Sequence, residues 1–304
     1  MKKIVLLSVA GIAILAGAYL LGAYGYRDNW WPISLARDIR QYPALGEYDS
    51  FNRLVAFPGK QQSECPRQTD RTAVILVIGQ SNAANHAAGM FTTRHPAKVF
   101  NHFRGRCYAA ASPLLGASGE RGEFLTPLAD ALVENGTYDS VVIVSSAIGE
   151  SSIYRWQRDG DLNEMLARLV ADLEPVYKVT EVLWHQGETD FRVFTTTKNY
   201  VESFTSLAGT LRSMGVAAPL FMSVATKCRD VGRWDRENPV AIAQRQLVDG
   251  KSILLGVDTD DLLVDQDRRE DNCHLRESGQ LKTAAAVAAA IGRSRCGDAP
   301  TSCR

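Results

Sequence analysis

The sequence has no surplus of either charge: Lys plus Arg and Asp plus Glu number 34 each in 304 residues. That balance gives no electrostatic reason to bind nucleic acid or an acidic polymer. There is no Cys-x-x-Cys and no His-x-x-x-His spacing, so the cysteines offer no zinc framework and neither a metal nor a cofactor is expected. There is no internal repeat and no low-complexity tract. Long apolar runs are missing too, with one exception at the N-terminus.

That exception follows Met1-Lys2-Lys3, where residues 4–26 carry no charge before Arg27-Asp28. The length suits a bilayer span, and the preceding lysines place the short tail in the cytoplasm and the rest outside. Trp30 and Trp31 would then meet the outer interface. Ala16-Gly17-Ala18 offers a cleavage site, so a signal peptide is the alternative to a signal anchor. In either case the remainder is expected on the periplasmic or extracellular side, anchored or secreted. Six cysteines make an even set suited to an oxidising compartment. The expected pairs are Cys65 with Cys107, Cys228 with Cys273, and Cys296 with Cys303.

With 45% hydrophobic and 22% charged residues, the chain can bury one full core. Residues 1–26 are read as the anchor or signal peptide, 27–70 as a stalk and cover, 71–292 as the catalytic domain and 293–304 as a tail. Apolar, β-rich stretches at 73–78, 140–146, 179–184, 219–225 and 252–257 alternate with helical ones near 125–135, 161–173, 197–213, 238–249 and 277–291. Such alternation predicts a mostly parallel sheet with helices on both faces, and ligands beyond the carboxyl ends of its strands. The segment 89–122 has little period and is read as a loop shaping a binding site.

The stretch Val74-Ile75-Leu76-Val77-Ile78-Gly79-Gln80-Ser81-Asn82 is a buried strand that stops at a glycine and delivers a serine. A helix starting near Asn82 would aim free N–H groups at whatever the Ser81 hydroxyl attacks; the plainer role for Ser81 is a helix cap. A serine nucleophile needs a base, and the base needs an orienting partner. Asp271 and His274, in Asp-x-x-His spacing, meet that need. The oxyanion donors would be the amides of Ser81 and Gly149 and the side chain of Gln186, all of which end strands on one side of the sheet.

Gly79-Gln80-Ser81-Asn82, the glycine block ending in Ile153-Tyr154-Arg155-Trp156, Trp184-His185-Gln186-Gly187-Glu188-Thr189-Asp190 and Asp271-Asn272-Cys273-His274 together resemble the SGNH hydrolase superfamily. More narrowly, they are similar to its sialate O-acetylesterase and acetyl xylan esterase-like branch. The resemblance covers roughly residues 72–291. It implies a three-layer, flavodoxin-like α/β/α sandwich that removes acetyl groups from carbohydrate hydroxyls without a metal, with Ser81 as nucleophile, His274 as base and Asp271 as its partner. Glu188 would hold the loops bearing Ser81 and Gln186, with Asn82 in support. Trp156 and Arg155 would give a sugar platform and a polar grip, or simply pack against the sheet. The chain departs from the superfamily in having Gln186 where an asparagine is usual. It departs from the branch in having Gly149-Glu150 in place of paired glycines, which leaves the donor open between Gly149 and its neighbours. An acetylated glycan is the expected substrate. An O-acyltransferase and a non-catalytic glycan-binding module are the alternatives.

Overall fold

The computed structural model describes residues 2–28, 45–229 and 232–296. The chain divides into two compact units, residues 1–44 and 45–304. The first holds helix α1 (Lys2–Asp28). Among the described residues no helix is long and apolar enough to cross a membrane. The transmembrane expectation is therefore unsupported. Trp30 and Trp31 lie outside the described residues, as does the Cys296–Cys303 pairing.

The second unit is built on ten strands: β1 (Glu47–Tyr48), β2 (Leu54–Ala56), β3 (Gln62–Ser63), β4 (Thr72–Gly79), β5 (Val99–Phe103), β6 (Arg106–Ala109), β7 (Ser140–Ser145), β8 (Glu181–His185), β9 (Leu220–Val224) and β10 (Ile253–Asp258). The first two pair as a small antiparallel ribbon. The other eight form one sheet in the order β10-β9-β8-β4-β7-β5-β6-β3. Pairing is parallel from β10 through β5 and antiparallel only at the β5/β6 and β6/β3 edge. The mainly parallel sheet predicted from the alternation is thus present.

Every residue of β4 is buried, because helices cover both faces and successive side chains point to opposite sides. Ala73, Ile75 and Val77 join one core with α2 (Leu125–Glu134) and α9 (Glu277–Cys296). Val74, Leu76 and Ile78 join the other, which takes in Ile153 and Trp156 of the short α3 (Ile153–Trp156), α4 (Asp161–Leu173), α6 (Thr197–Ser213) and α7 (Pro239–Leu247). The remaining short helices are α5 (Glu188–Arg192) and α8 (Thr259–Leu262).

The segment 89–122 is not simply a loop, since it contains β5 and β6. Polar Asn101 hides the strand period of β5. Its side chain accepts from the Leu115 amide at 2.8 Å and donates to the Leu115 carbonyl at 3.2 Å, so a buried amide is satisfied within the fold rather than marking a surface turn. Two disulfides, Cys65–Cys107 and Cys228–Cys273, match the expected pairs. The second fastens the segment after β9 to the residue before His274.

Candidate active site

Strand β4 runs in the middle of the sheet and ends at Gly79, whose φ of +133° and close approach to the His185 carbonyl leave no room for a side chain. The chain then turns through Gln80 into a single 3-10 turn, Ser81–Ala83. Gln80 secures that turn twice: its amide donates to the His185 carbonyl at 3.0 Å, and its side-chain oxygen accepts from the Thr189 amide at 3.0 Å. The Ser81 and Asn82 amides, first in the turn, have no acceptor among the described residues, the usual condition of a helix start.

His274 sits on a loop shaped by Asp271. One carboxylate oxygen of Asp271 accepts from the Cys273 and His274 amides at 3.0 Å each, and the other meets His274 Nδ1 at 2.7 Å. Burial pushes the Asp271 carboxyl up, but the hydrogen bonds and charge of His274 and the Cys273 amide outweigh it. The group is held well below the usual carboxylate range. The carboxylate accepts a hydrogen bond from the Nδ1–H of the imidazole and so turns Nε2 away from Asp271.

The Asn82 side chain joins the two segments. Asn82 Nδ2 donates to Glu188 Oε1 at 2.8 Å and to the Cys273 carbonyl at 3.2 Å. It ties the residue after the serine to the residue before the histidine. The Cys273 carbonyl also accepts from Arg268 Nη1 at 3.1 Å. In this conformation the Ser81 hydroxyl makes no hydrogen bond among the described residues, a looseness common before substrate binds. Beneath the clamp lies a buried polar group. Burial pushes Glu188 up to about 7, opposed by the Asn82 hydrogen bond. Burial followed by the Arg268 charge pushes His185 down to about 3.

Other expected residues are engaged by partners within the fold. The Gly149 amide donates to the hydroxyl of Ser118 at 2.7 Å, and Ser118 is fully buried. The Gln186 amide nitrogen donates to the Ser151 carbonyl at 3.0 Å and to Asp190, while its oxygen accepts from the Tyr200 hydroxyl at 2.9 Å. It is wholly buried and braces the loop after β8. Trp156 is also wholly buried, edge-on to Trp184 with its indole N–H on Ser151 Oγ, so it packs against the sheet and offers no sugar platform. Arg155 is buried and paired with Asp161 at 2.6 Å. All four residue types serve cleft or framework equally well, and sequence spacing does not say which way each side chain faces. Sequence reasoning missed Gln80, whose motif position carried the signal, and the pair His86 and Ser118. Among the described residues no group of three or more His, Cys, Asp or Glu side chains could hold a metal ion.

A serine turn at the end of a central parallel strand, tied by Asn82 to a loop bearing an Asp-His pair, fits the SGNH-type α/β hydrolase class. An Arabidopsis thaliana protein of known structure shares the fold at 17% identity, with a TM-score of 0.57 over 74% of this chain and 99% of that one. A carbohydrate acetylesterase from Xanthomonas citri does so at 17% identity and a TM-score of 0.54, over 74% of this chain and 57% of that one. No curated protein matches the sequence. Residues 71–293 match the family described as SASA, carbohydrate esterase, sialic acid-specific acetylesterase, and the chain belongs to that family. It is thus an enzyme of the carbohydrate esterase class.

Proposed function

We propose that the protein removes O-acetyl groups from a carbohydrate through an acetyl-serine intermediate. The observation that carries this reading is the 2.7 Å pairing of His274 Nδ1 with Asp271, on a loop clamped to the Ser81 turn by Asn82. In the first step Ser81 Oγ attacks the acetyl carbonyl while His274 Nε2 takes the hydroxyl proton. The unpaired amides of Ser81 and Asn82 stabilise the oxyanion. Collapse breaks the bond to the sugar oxygen, which leaves with the proton from His274. Water, deprotonated by the same imidazole, then releases acetate and restores Ser81.

The two disulfides favour action outside the reducing cytoplasm, where acetylated glycans of a cell surface or exported polymer are the natural substrates for such an enzyme. Acetate release from acetylated sialic acid and acetylated xylan, compared between the unsubstituted enzyme and Ser81→Ala, tests the reading. The variant is expected to fold and to release none. Undiminished release by the variant would remove Ser81 from the chemistry.

A further inference from the structure

His86 follows the nucleophile turn by only three residues, and the fold holds it firmly. Its carbonyl accepts from Arg269 Nη1 at 3.1 Å, and the preceding Asn85 is locked by its amide on the Ser118 carbonyl and by its side chain on both backbone groups of Leu114. The His86 ring lies 5.5 Å from that of His274, centroid to centroid, with the planes 20° apart. Its Nε2 is 3.1 Å from Ser118 Oγ.

Hydrogen-bond accounting fixes the tautomer. Ser118 is fully buried, and its oxygen already accepts the Gly149 amide. Its hydroxyl proton needs an acceptor, and among the described residues the one in reach is His86 Nε2. An imidazole that accepts at Nε2 carries its proton at Nδ1. That Nδ1–H has no partner among the described residues and is not among the buried polar atoms, so it is open to a ligand. Burial drives the ring down to about 3, helped by the positive charges of His274, Arg121 and Arg269 and opposed by Asp271. His86 therefore stays uncharged when His274 gains its proton, and the two rings do not repel.

The base hands its proton to the departing sugar oxygen, so a donor stacked beside His274 lies on the side from which the sugar departs. We infer that His86 is a specificity-determining residue whose Nδ1–H donates a hydrogen bond to an oxygen of the carbohydrate that bears the ester. The inference rests on the proposed serine esterase reading and names the group that selects a sugar over a simpler alcohol. A donor aimed at a substrate oxygen favours substrates that supply that oxygen over those that lack it.

The test compares kcat/KM on acetylated sialic acid or acetylated xylan, whichever the unsubstituted enzyme deacetylates faster, with kcat/KM on p-nitrophenyl acetate, whose leaving group has no sugar oxygens. His86→Phe keeps a ring beside His274 and removes the donor. It is expected to lower the carbohydrate-to-phenyl ratio about tenfold, the worth of one hydrogen bond, chiefly through a higher KM for the carbohydrate. His86→Asn places an amide donor near the former Nδ1, and His86→Gln places one near the former Nε2. The ratio is expected to recover in the asparagine variant and not in the glutamine variant. A ratio equal to that of the unsubstituted enzyme in His86→Phe, or recovery in His86→Gln alone, overturns the inference and makes the ring a structural partner of Ser118. Ser81→Ala separates this from the underlying reading, because it is expected to remove activity on both substrates. Acetate release from neither carbohydrate by the unsubstituted enzyme contradicts both.

Discussion

Asp271 has two oxygens and two tasks: one shapes the loop through backbone amides and the other orients His274. Asp271→Asn keeps the size but loses the charge that favours the imidazolium and offers the ring a donor as readily as an acceptor. A drop of about 10³ to 10⁴-fold in kcat is expected, by analogy with the loss of the equivalent acid in other triads. Steady-state kinetics check it, with an unchanged melting curve as control.

Glu188 carries a second prediction. Its folded value of about 7 lies above the ordinary 4.5. Between those limits the folded protein holds a proton that the unfolded chain has released, so Glu188 costs stability as pH rises through that window and levels off above it. The full cost is about 3 kcal/mol, from the size of the shift. Glu188→Gln keeps an acceptor for Asn82 but cannot ionise. Denaturant unfolding should show the unsubstituted protein losing stability relative to the variant from pH 4.5 to 7, and a constant difference would contradict the assignment. Residues whose role lies in a backbone device were legible in sequence: Ser81 ends a buried strand at a glycine, and Asp271 and His274 keep the spacing of a loop that returns a carboxylate to its own amides. Gln186, Trp156 and Arg155 were not, because their roles depend on which neighbour across the fold satisfies them.

At the scale of elements, the disulfide from Cys228 to Cys273 bears on His274 more directly than on the core. Cys273 contributes its carbonyl to Asn82 and Arg268 and its sulfur to the segment beyond β9, so the bridge limits how far the histidine loop can leave the serine turn. Changing both cysteines to serine is expected to lower kcat several-fold while the sheet and its helices persist, read by esterase assay and circular dichroism. Equal activity would assign the bridge to stability alone. The alternation of apolar strands and helices was plain in the sequence, and all five expected strands and all five expected helices are present. What escaped was the antiparallel edge of β5, β6 and β3, where short strands with buried Asn101 and His102 break the apolar run that marks an interior strand.

For the whole molecule, two cores on opposite faces of one sheet hold β4 rigid along its length. The Ser81 turn at the end of that strand inherits the rigidity, while the loop bearing His274 is positioned by a disulfide and a few hydrogen bonds. On the proposed mechanism, the approach of His274 to Ser81 is therefore expected to be a motion of the loop. The central claim is that the acetyl group passes through Ser81. It is tested most directly by quenching the enzyme in acid during turnover of p-nitrophenyl acetate and weighing its peptides. One added acetyl group on the peptide that contains Ser81, absent from Ser81→Ala, is the predicted result. An acetyl group on another residue, or turnover by Ser81→Ala at the unsubstituted rate, would contradict the account.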